Sequence, residues 1–294
     1  MRFLKFLIIN LLFFACNNVE NKFEISNNYV LEIDSFFKSK MLERKSNYLQ
    51  LVAIHRLKKG LNSFGKDKSN DLSLTIESLP GIIGVFEITD DSITFNAHKN
   101  IMINTETEYS VGKILLPLDK NGNSEKLFHN ELSWRIITRS KQRYLRVWYN
   151  KNPAISTFSG FDKYKLNNDF IYNAYFTFYN KEKSQIVKSK IDGQRLTNFI
   201  GNVSFNYKNI SYTLDVGHDG FIMVGDETNT TSTYGGGRYV YISLPKEDGN
   251  IILDFNKLYN PPCSFSIFTT CLYPPGQNQL PFSILAGEKR TLIK

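Results

Sequence analysis

The chain has 294 residues, with 36 Lys+Arg against 28 Asp+Glu and a formal charge of +8. Its basic residues are scattered, with pairs such as Lys58-Lys59 and no long basic tract. That excludes the one-sided basic stripe a nucleic-acid binder needs, while the length suffices for one large β domain or two small ones.

The N-terminus, MRFLKFLIINLLFFACNN, sets Arg2 and Lys5 before an apolar run, Phe6 to Ala15, that is too short to span a bilayer. Small Ala15 stands directly before Cys16. This layout resembles a bacterial lipoprotein signal, in which the cysteine thiol receives a diacylglycerol. Residues 1–15 are then the signal peptide, Cys16 the lipid attachment site, and 16–28 a polar tether. Acyl chains at one site anchor stably because each buried CH₂ contributes ~0.8 kcal/mol. The expected location is the bacterial cell envelope, anchored to a membrane and facing the periplasm or the exterior. Removal of the signal leaves 34 basic against 28 acidic residues.

Val30, Ile33, Phe37 and Met41 recur at spacings of three and four, which predicts an amphipathic helix over 29–46. Beyond it the pattern is strand-like: 48–57, 72–76, 82–89, 92–97, 133–138 and 144–149, then 170–179, 201–207, 211–216, 221–224, 238–244 and 250–255. Turn signals such as Asn121-Gly122 and Asp219-Gly220 separate these runs. The expected fold is mainly β, with two β-sandwich-like halves behind one N-terminal helix. Lys151-Asn152-Pro153 is the expected seam, dividing 29–150, which includes the helix, from 151–294. Trp134 and Trp148, on adjacent strands, read as core residues.

The segment YVYISLPKEDGNIILDFN reads as a hairpin. Pairing Val240 with Phe255, Ile242 with Leu253 and Leu244 with Ile251 sets six apolar residues on one face. It places Tyr241 opposite Asp254 and Tyr239 opposite Asn256 on the other face. Asp226, Thr228, Tyr234, Arg238, Asp254 and Asn256 thereby become the candidate ligand or catalytic pocket. Asp254 would act as base or acceptor and Arg238 would steady an anion. Two structural alternatives stand beside this. Tyr234-Gly235-Gly236-Gly237-Arg238 lacks the Gly-Lys-Ser/Thr of a phosphate loop and also suits a tight connection needing positive φ. Asp254 also suits an anchor for Asn260-Pro261-Pro262.

Cys263 and Cys271 remain after Cys16 is acylated, and an even pair in an exported chain reads as a disulfide. A metal site would need further ligands at suitable spacing, and His55, His98, His129 and His218 are isolated in sequence. A nucleophilic cysteine would need a base that the sequence does not show. No metal or cofactor is expected.

With these residues in view, the chain resembles the uncharacterised bacterial and archaeal family known as domain of unknown function 1684. The resemblance runs over about residues 45–290. DETNTTSTYGGGRYV and LDFNKLYNPPCSFSIFTTCLYPPGQNQLPFSILAGEK carry it most strongly, supported by LQLVAIHRLKKGLNSFGKDKSNDLSL, WRIITRSKQRYLRVWYN and FSGFDKY. The resemblance implies that the proline-rich C-terminal knot is a family feature; it implies no activity. Residues 57–118 are similar to the forkhead-associated β-sandwich, although Lys66 stands near that domain's Arg and Ser78-Leu79-Pro80-Gly81 has no His. The reading favoured by the sequence is a lipid-anchored extracytoplasmic binding or envelope-associated module. Its expected partners are the membrane, through the lipid, and a small molecule, glycan or envelope protein, with no nucleic acid. A hydrolase-like enzyme using the pocket around Arg238 and Asp254, and a purely structural partner protein, are the alternatives.

Overall fold

The computed structural model describes residues 23–109, 112–191 and 193–291. The signal segment and Cys16 lie outside the described residues.

Helix α1 (Asn27–Ser46) starts where the Ser26 side chain accepts the Tyr29 N–H at 3.2 Å, a capping bond that satisfies one of the helix's orphan donors. Its buried residues are Tyr29, Ile33, Phe37 and Arg44. Ile33 and Phe37 belong to the predicted stripe, whereas Val30 and Met41 are only half-buried. An arginine takes the last buried position because a carboxylate and two aromatic rings meet it there. The helix was expected with the N-terminal half. It packs instead on the C-terminal unit, where Tyr29, Ile33 and Phe37 share a core with Val187, Phe199, Met223, Tyr239 and Tyr259.

The N-terminal unit contains β1 (Leu51–Arg56), β2 (Gly60–Gly65), β3 (Leu72–Ser73), β4 (Gly84–Ile88) and β5 (Ile93–Ala97). It continues with β6 (Lys113–Leu115), β7 (Leu127–His129), β8 (Leu132–Arg139) and β9 (Gln142–Tyr149). These form a five-stranded sheet, ordered β3-β2-β4-β5-β6, and a four-stranded sheet, ordered β1-β9-β8-β7. Both sheets supply one core: Phe64, Phe86 and Phe95 come from the first, Trp134, Leu145 and Val147 from the second. Trp134 is fully buried, its ring 5.2 Å from Phe64 and 5.7 Å from Phe95. Trp148 is nearly buried and donates from Nε1 to Asn47 Oδ1 at 3.0 Å.

After the short helix α2 (Pro153–Thr157) come β10 (Ile171–Ser189), β11 (Gly193–Tyr207), β12 (Ile210–Gly217), β13 (Phe221–Val224), β14 (Arg238–Tyr241) and β15 (Gly249–Asp254). Strands β12-β11-β10-β15 make one sheet and β13-β14 a second. The β10–β11 hairpin runs well past the predicted strand ends. Its outer part, KEKSQIVKS, carries charges on both faces, so it shows no one-sided alternation to read.

The predicted hairpin between 240 and 255 does not form. Strand β14 pairs with β13, setting Val240 opposite Ile222 and Tyr239 opposite Met223. Strand β15 pairs with β10, setting Asp254 opposite Ile171 and Leu253 opposite Tyr172. Val240, Ile242, Leu253 and Phe255 do enter one core, but from two different sheets. The pairings Tyr241–Asp254 and Tyr239–Asn256 therefore fall; Tyr239 bridges to Tyr259 instead.

Candidate functional site

The six candidate pocket residues separate into three groups that share no hydrogen bond with one another. Arg238 opens β14 and is fully buried. Its Nη2 donates to Asp226 Oδ2 at 2.9 Å and to the Ile284 carbonyl at 3.0 Å, and its Nη1 to the carbonyls of Ala286 and Glu288. Asp226 Oδ1 accepts the Thr228 N–H at 2.8 Å and the Thr228 hydroxyl, which also meets Thr233 Oγ1 at 2.7 Å. Burial lowers the Arg238 pKa, against the opposing pull of Asp226. Both terminal nitrogens of the guanidinium are thus committed to Asp226 and residues 284–288, and its unpartnered Nε is fully covered.

Asp254 and Asn256 form the second group, at the end of β15. Tyr29 from α1 donates its hydroxyl to Asp254 Oδ2 at 2.9 Å, and Asn256 Nδ2 donates to that hydroxyl at 3.1 Å. Asn256 also accepts the Asn167 N–H at 3.0 Å and donates to the Asn167 carbonyl at 3.0 Å. Burial raises the Asp254 pKa, with the Tyr29 hydroxyl pulling it back down. A carboxylate so covered and so bonded is an anchor for the helix rather than an exposed base.

Tyr234 makes the third group, its hydroxyl 3.3 Å from the Cys263 carbonyl and 3.5 Å from Cys263 Sγ. The glycines that follow serve packing. A Cβ on Gly236 would lie 2.5 Å from the Tyr234 ring, and Gly237 combines φ +78° with the Pro274 ring 2.4 Å from where its Cβ would be.

Cys263 and Cys271 are both buried and both free in this structure, and the Cys263 N–H donates to Cys271 Sγ at 3.0 Å. The hydrogen bond between the two thiols lowers the Cys263 pKa and raises that of Cys271. Lys190 donates to the Cys263 carbonyl at 3.1 Å.

A fourth polar group was not singled out in the sequence. Arg44 Nη2 lies 2.6 Å from Glu288 Oε2, with side chains 3% and 0% exposed. The same carboxylate accepts the Asn260 N–H at 2.8 Å and Asn260 Nδ2 at 2.9 Å. The Arg44 guanidinium carbon sits 4.4 Å from the Phe161 ring centre and 4.1 Å from that of Phe265. The available signal was Arg44 itself, seven residues beyond Phe37 and so on the helix's buried side. The proline-rich stretch thus holds α1 against the C-terminal residues through Asn260 and Glu288.

Two open regions adjoin these groups. A groove of about 550 Å³ is lined by Gly235, Gly236, Gly237, Gln185, Lys188 and Tyr273, together with Asp226, Asn229 and Gln279. A second, of about 520 Å³, shares Gly235, Gly236 and Tyr273 and adds Tyr234 and Arg290. Of the six candidates, only Asp226 and Tyr234 reach an open region; Arg238, Asp254 and Asn256 line neither. Among the described residues no three His, Cys, Asp or Glu side chains gather as a metal site would require. No helix among them is long and apolar enough to cross a membrane. In the N-terminal unit, Lys66 is paired with Glu77 at 3.5 Å.

The family comparison falls on the C-terminal unit. Residues 156–289, a little under half of the chain, match the family described as "Protein of unknown function (DUF1684)", the family that the sequence resembles. Residues 45–155, over which the resemblance was also expected, lie outside the match. The chain is also similar to the solution NMR structure of the uncharacterized protein from gene locus rrnAC0354 of Haloarcula marismortui. The two are 26% identical, with 46% of this chain and 78% of that one covered at a TM-score of 0.38. No curated protein matches the chain.

Proposed function

We propose that the mature chain is a lipid-anchored, extracytoplasmic β protein that works as a binding module, taking its ligand in the groove beside Gly235–Gly237. The anchor rests on the sequence ending at Ala15-Cys16. The binding reading is carried by one observation. Arg238, Asp254 and Asn256 are spent on internal bonds, whereas the 550 Å³ groove remains open and falls in the size range of small-ligand sites. Its lining mixes backbone, amide side chains, one lysine and one tyrosine ring, which suits a hydroxylated or amide-bearing small molecule, a glycan, or an extended segment of an envelope protein. Gln185 Nε2 is buried there without a hydrogen-bond partner, unmet capacity of the kind a ligand or a water satisfies. The two sheets of the N-terminal unit, which share one core, are read as a sandwich-like scaffold.

The same bonding weakens the hydrolase alternative, because its base would be Asp254 under Tyr29. Two measurements test the proposal. Cys16→Ser should move the protein from the membrane to the soluble fraction or leave it unprocessed, and palmitate label should enter only the wild type. A thermal-shift search with envelope glycans and small metabolites should yield a stabilising ligand, since ligands that bind only the folded state stabilise it by mass action. Gln185→Ala and Lys188→Ala should weaken that ligand. A ligand unaffected by either change refutes the groove.

A further inference from the structure

A separate cavity of about 220 Å³ lies between α1 and the C-terminal unit. Four tyrosines and a phenylalanine line it: Tyr48, Tyr239, Tyr241, Tyr259 and Phe221. Two ring pairs stand at steep angles, and a third, Phe221 with Tyr241, is tilted by 47° at 5.2 Å. Phe221 and Tyr239 are 4.8 Å apart at 80°, and Tyr239 and Tyr259 are 6.1 Å apart at 90°. Tyr241 is 50% exposed and gives the cavity an accessible ring. Lys40 and Glu43, paired at 3.0 Å, also line it, with the Lys40 ammonium 4.2 Å from the Tyr259 ring centre and the Tyr48 hydroxyl donating to Glu43 at 2.9 Å.

The chemistry narrows the ligand. Burial raises the pKa values of all four tyrosines, so their hydroxyls stay neutral, and Lys40 cancels Glu43. A ligand cation would meet the Lys40 ammonium already seated on a ring face. A ligand anion would meet Glu43 and the negative faces of the rings. A neutral group that is apolar on its face and polar at its edge meets neither obstacle.

Two further lining residues carry unmet hydrogen-bonding capacity. Arg44 and Asn260 are 2% and 1% exposed, and Arg44 Nη1 and Asn260 Oδ1 are both without partners. Buried polar atoms left so are uncommon and mark places where a water or ligand completes the bonding. One is a donor and the other an acceptor. A hydroxyl group plays both roles on a single atom. Both atoms are covered in this structure, so a ligand hydroxyl reaches them only if the lining moves.

From this combination we infer that the cavity between α1 and β14 binds one pyranose ring of a sugar, its C–H face on the Tyr241 ring and its hydroxyls toward Glu43, Lys40 and the Arg44–Asn260 floor. The site is distinct from the glycine groove and shares no lining residue with it.

The test is a titration of the soluble mature chain, Cys16→Ser, carrying ¹³C-labelled tyrosine rings, with glucose, galactose, mannose and N-acetylglucosamine, then with short oligosaccharides of the best binder. Free sugars and oligosaccharides distinguish a monosaccharide site from the recognition of a glycan end. At least one sugar should shift the Tyr241 and Tyr259 ring resonances. Tyr241→Ala, which removes a half-exposed ring, should weaken it roughly tenfold or more, the factor that about 1.4 kcal/mol of lost contact commands. Glu43→Gln should also weaken it, and Gln185→Ala in the groove should leave it unchanged. Four results overturn the inference: no ring shift with any sugar, affinity unchanged in Tyr241→Ala, affinity lost in Gln185→Ala, or ring shifts produced by choline and by none of the sugars. Failure here leaves the groove reading standing, because each site has its own variant.

Discussion

Replacing Arg44 by methionine removes one partner of the buried pair with Glu288 while keeping most of the side chain's volume. Arg44 and Glu288 are almost wholly covered and 2.6 Å apart, and breaking such a pair from one side costs about 3–5 kcal/mol because the other charge stays buried. Glu288 has a way out, which is to keep its proton. Burial already raises its carboxyl above the ordinary 4.5, and Arg44 is the largest of the influences pulling it back. Only between pH 4.5 and the folded value does the folded form hold a proton that the unfolded chain releases, and the carboxyl's contribution to stability falls as pH climbs through that window. Without Arg44 the folded value moves up and the fall extends further. At 1.36 kcal/mol per pH unit, holding the proton at pH 7.5 costs about 4 kcal/mol, and this part vanishes near pH 4.5. The ceiling set by protonation thus agrees with the cost of an unpaired charge. Urea unfolding followed by far-UV circular dichroism, on the mature chain with Cys16→Ser, should show Arg44→Met losing least near pH 4.5 and most at pH 7.5. Adding Glu288→Gln should abolish the pH dependence of the loss. A loss below about 1 kcal/mol at pH 7.5, or one of equal size at both pH values, refutes the reasoning.

Arg238→Met should cost a similar amount, about 3–5 kcal/mol, because it strands Asp226 and the carbonyls of residues 284–288; adding Asp226→Asn should recover part of it in the same urea assay. Cys263 and Cys271 should join on exposure to a disulfide exchange partner such as oxidised glutathione, and closing about nine residues should add roughly 2.5 kcal/mol by loop entropy. Labelling of both thiols in the exported, unreduced and denatured protein would rule out the disulfide expected from the sequence.

The mainly β character and the helix were legible because their periodicities repeat over several turns or strands. The partner of β14 was not. Alternation in YVYISL fixes which side chains share a face, and any strand of matching parity satisfies that requirement. FIMV in β13 meets it as well as NIILDF does, and Leu244-Pro245 carries the chain away from the nearer choice. The error then reached the site, because Asp254 and Asn256 were placed through the same register. Burial of Arg238 escaped for a related reason: an arginine beside three glycines looks exposed until residues 284–288 supply its acceptors from 46 to 50 residues further on. The aromatic cavity depends on α1 meeting β14, a contact no local window contains. Tyr239 and Tyr241 were nonetheless visible as alternate residues on one face.

The placement of α1 governs the order in which the molecule can be assembled. Tyr29 finds Asp254 only 225 residues later, and Arg44 finds Glu288 after 244. At synthesis rates of 5–20 residues per second, the helix waits about 10–50 s for these two polar partners. Meanwhile the N-terminal unit, whose core draws on neither residue, can close by itself. The helix made first is thus among the last elements to settle. A chain cut before residue 254 would keep most of the surface under Ile33 and Phe37 but leave Tyr29 and Arg44 without the carboxylates that tie the helix down.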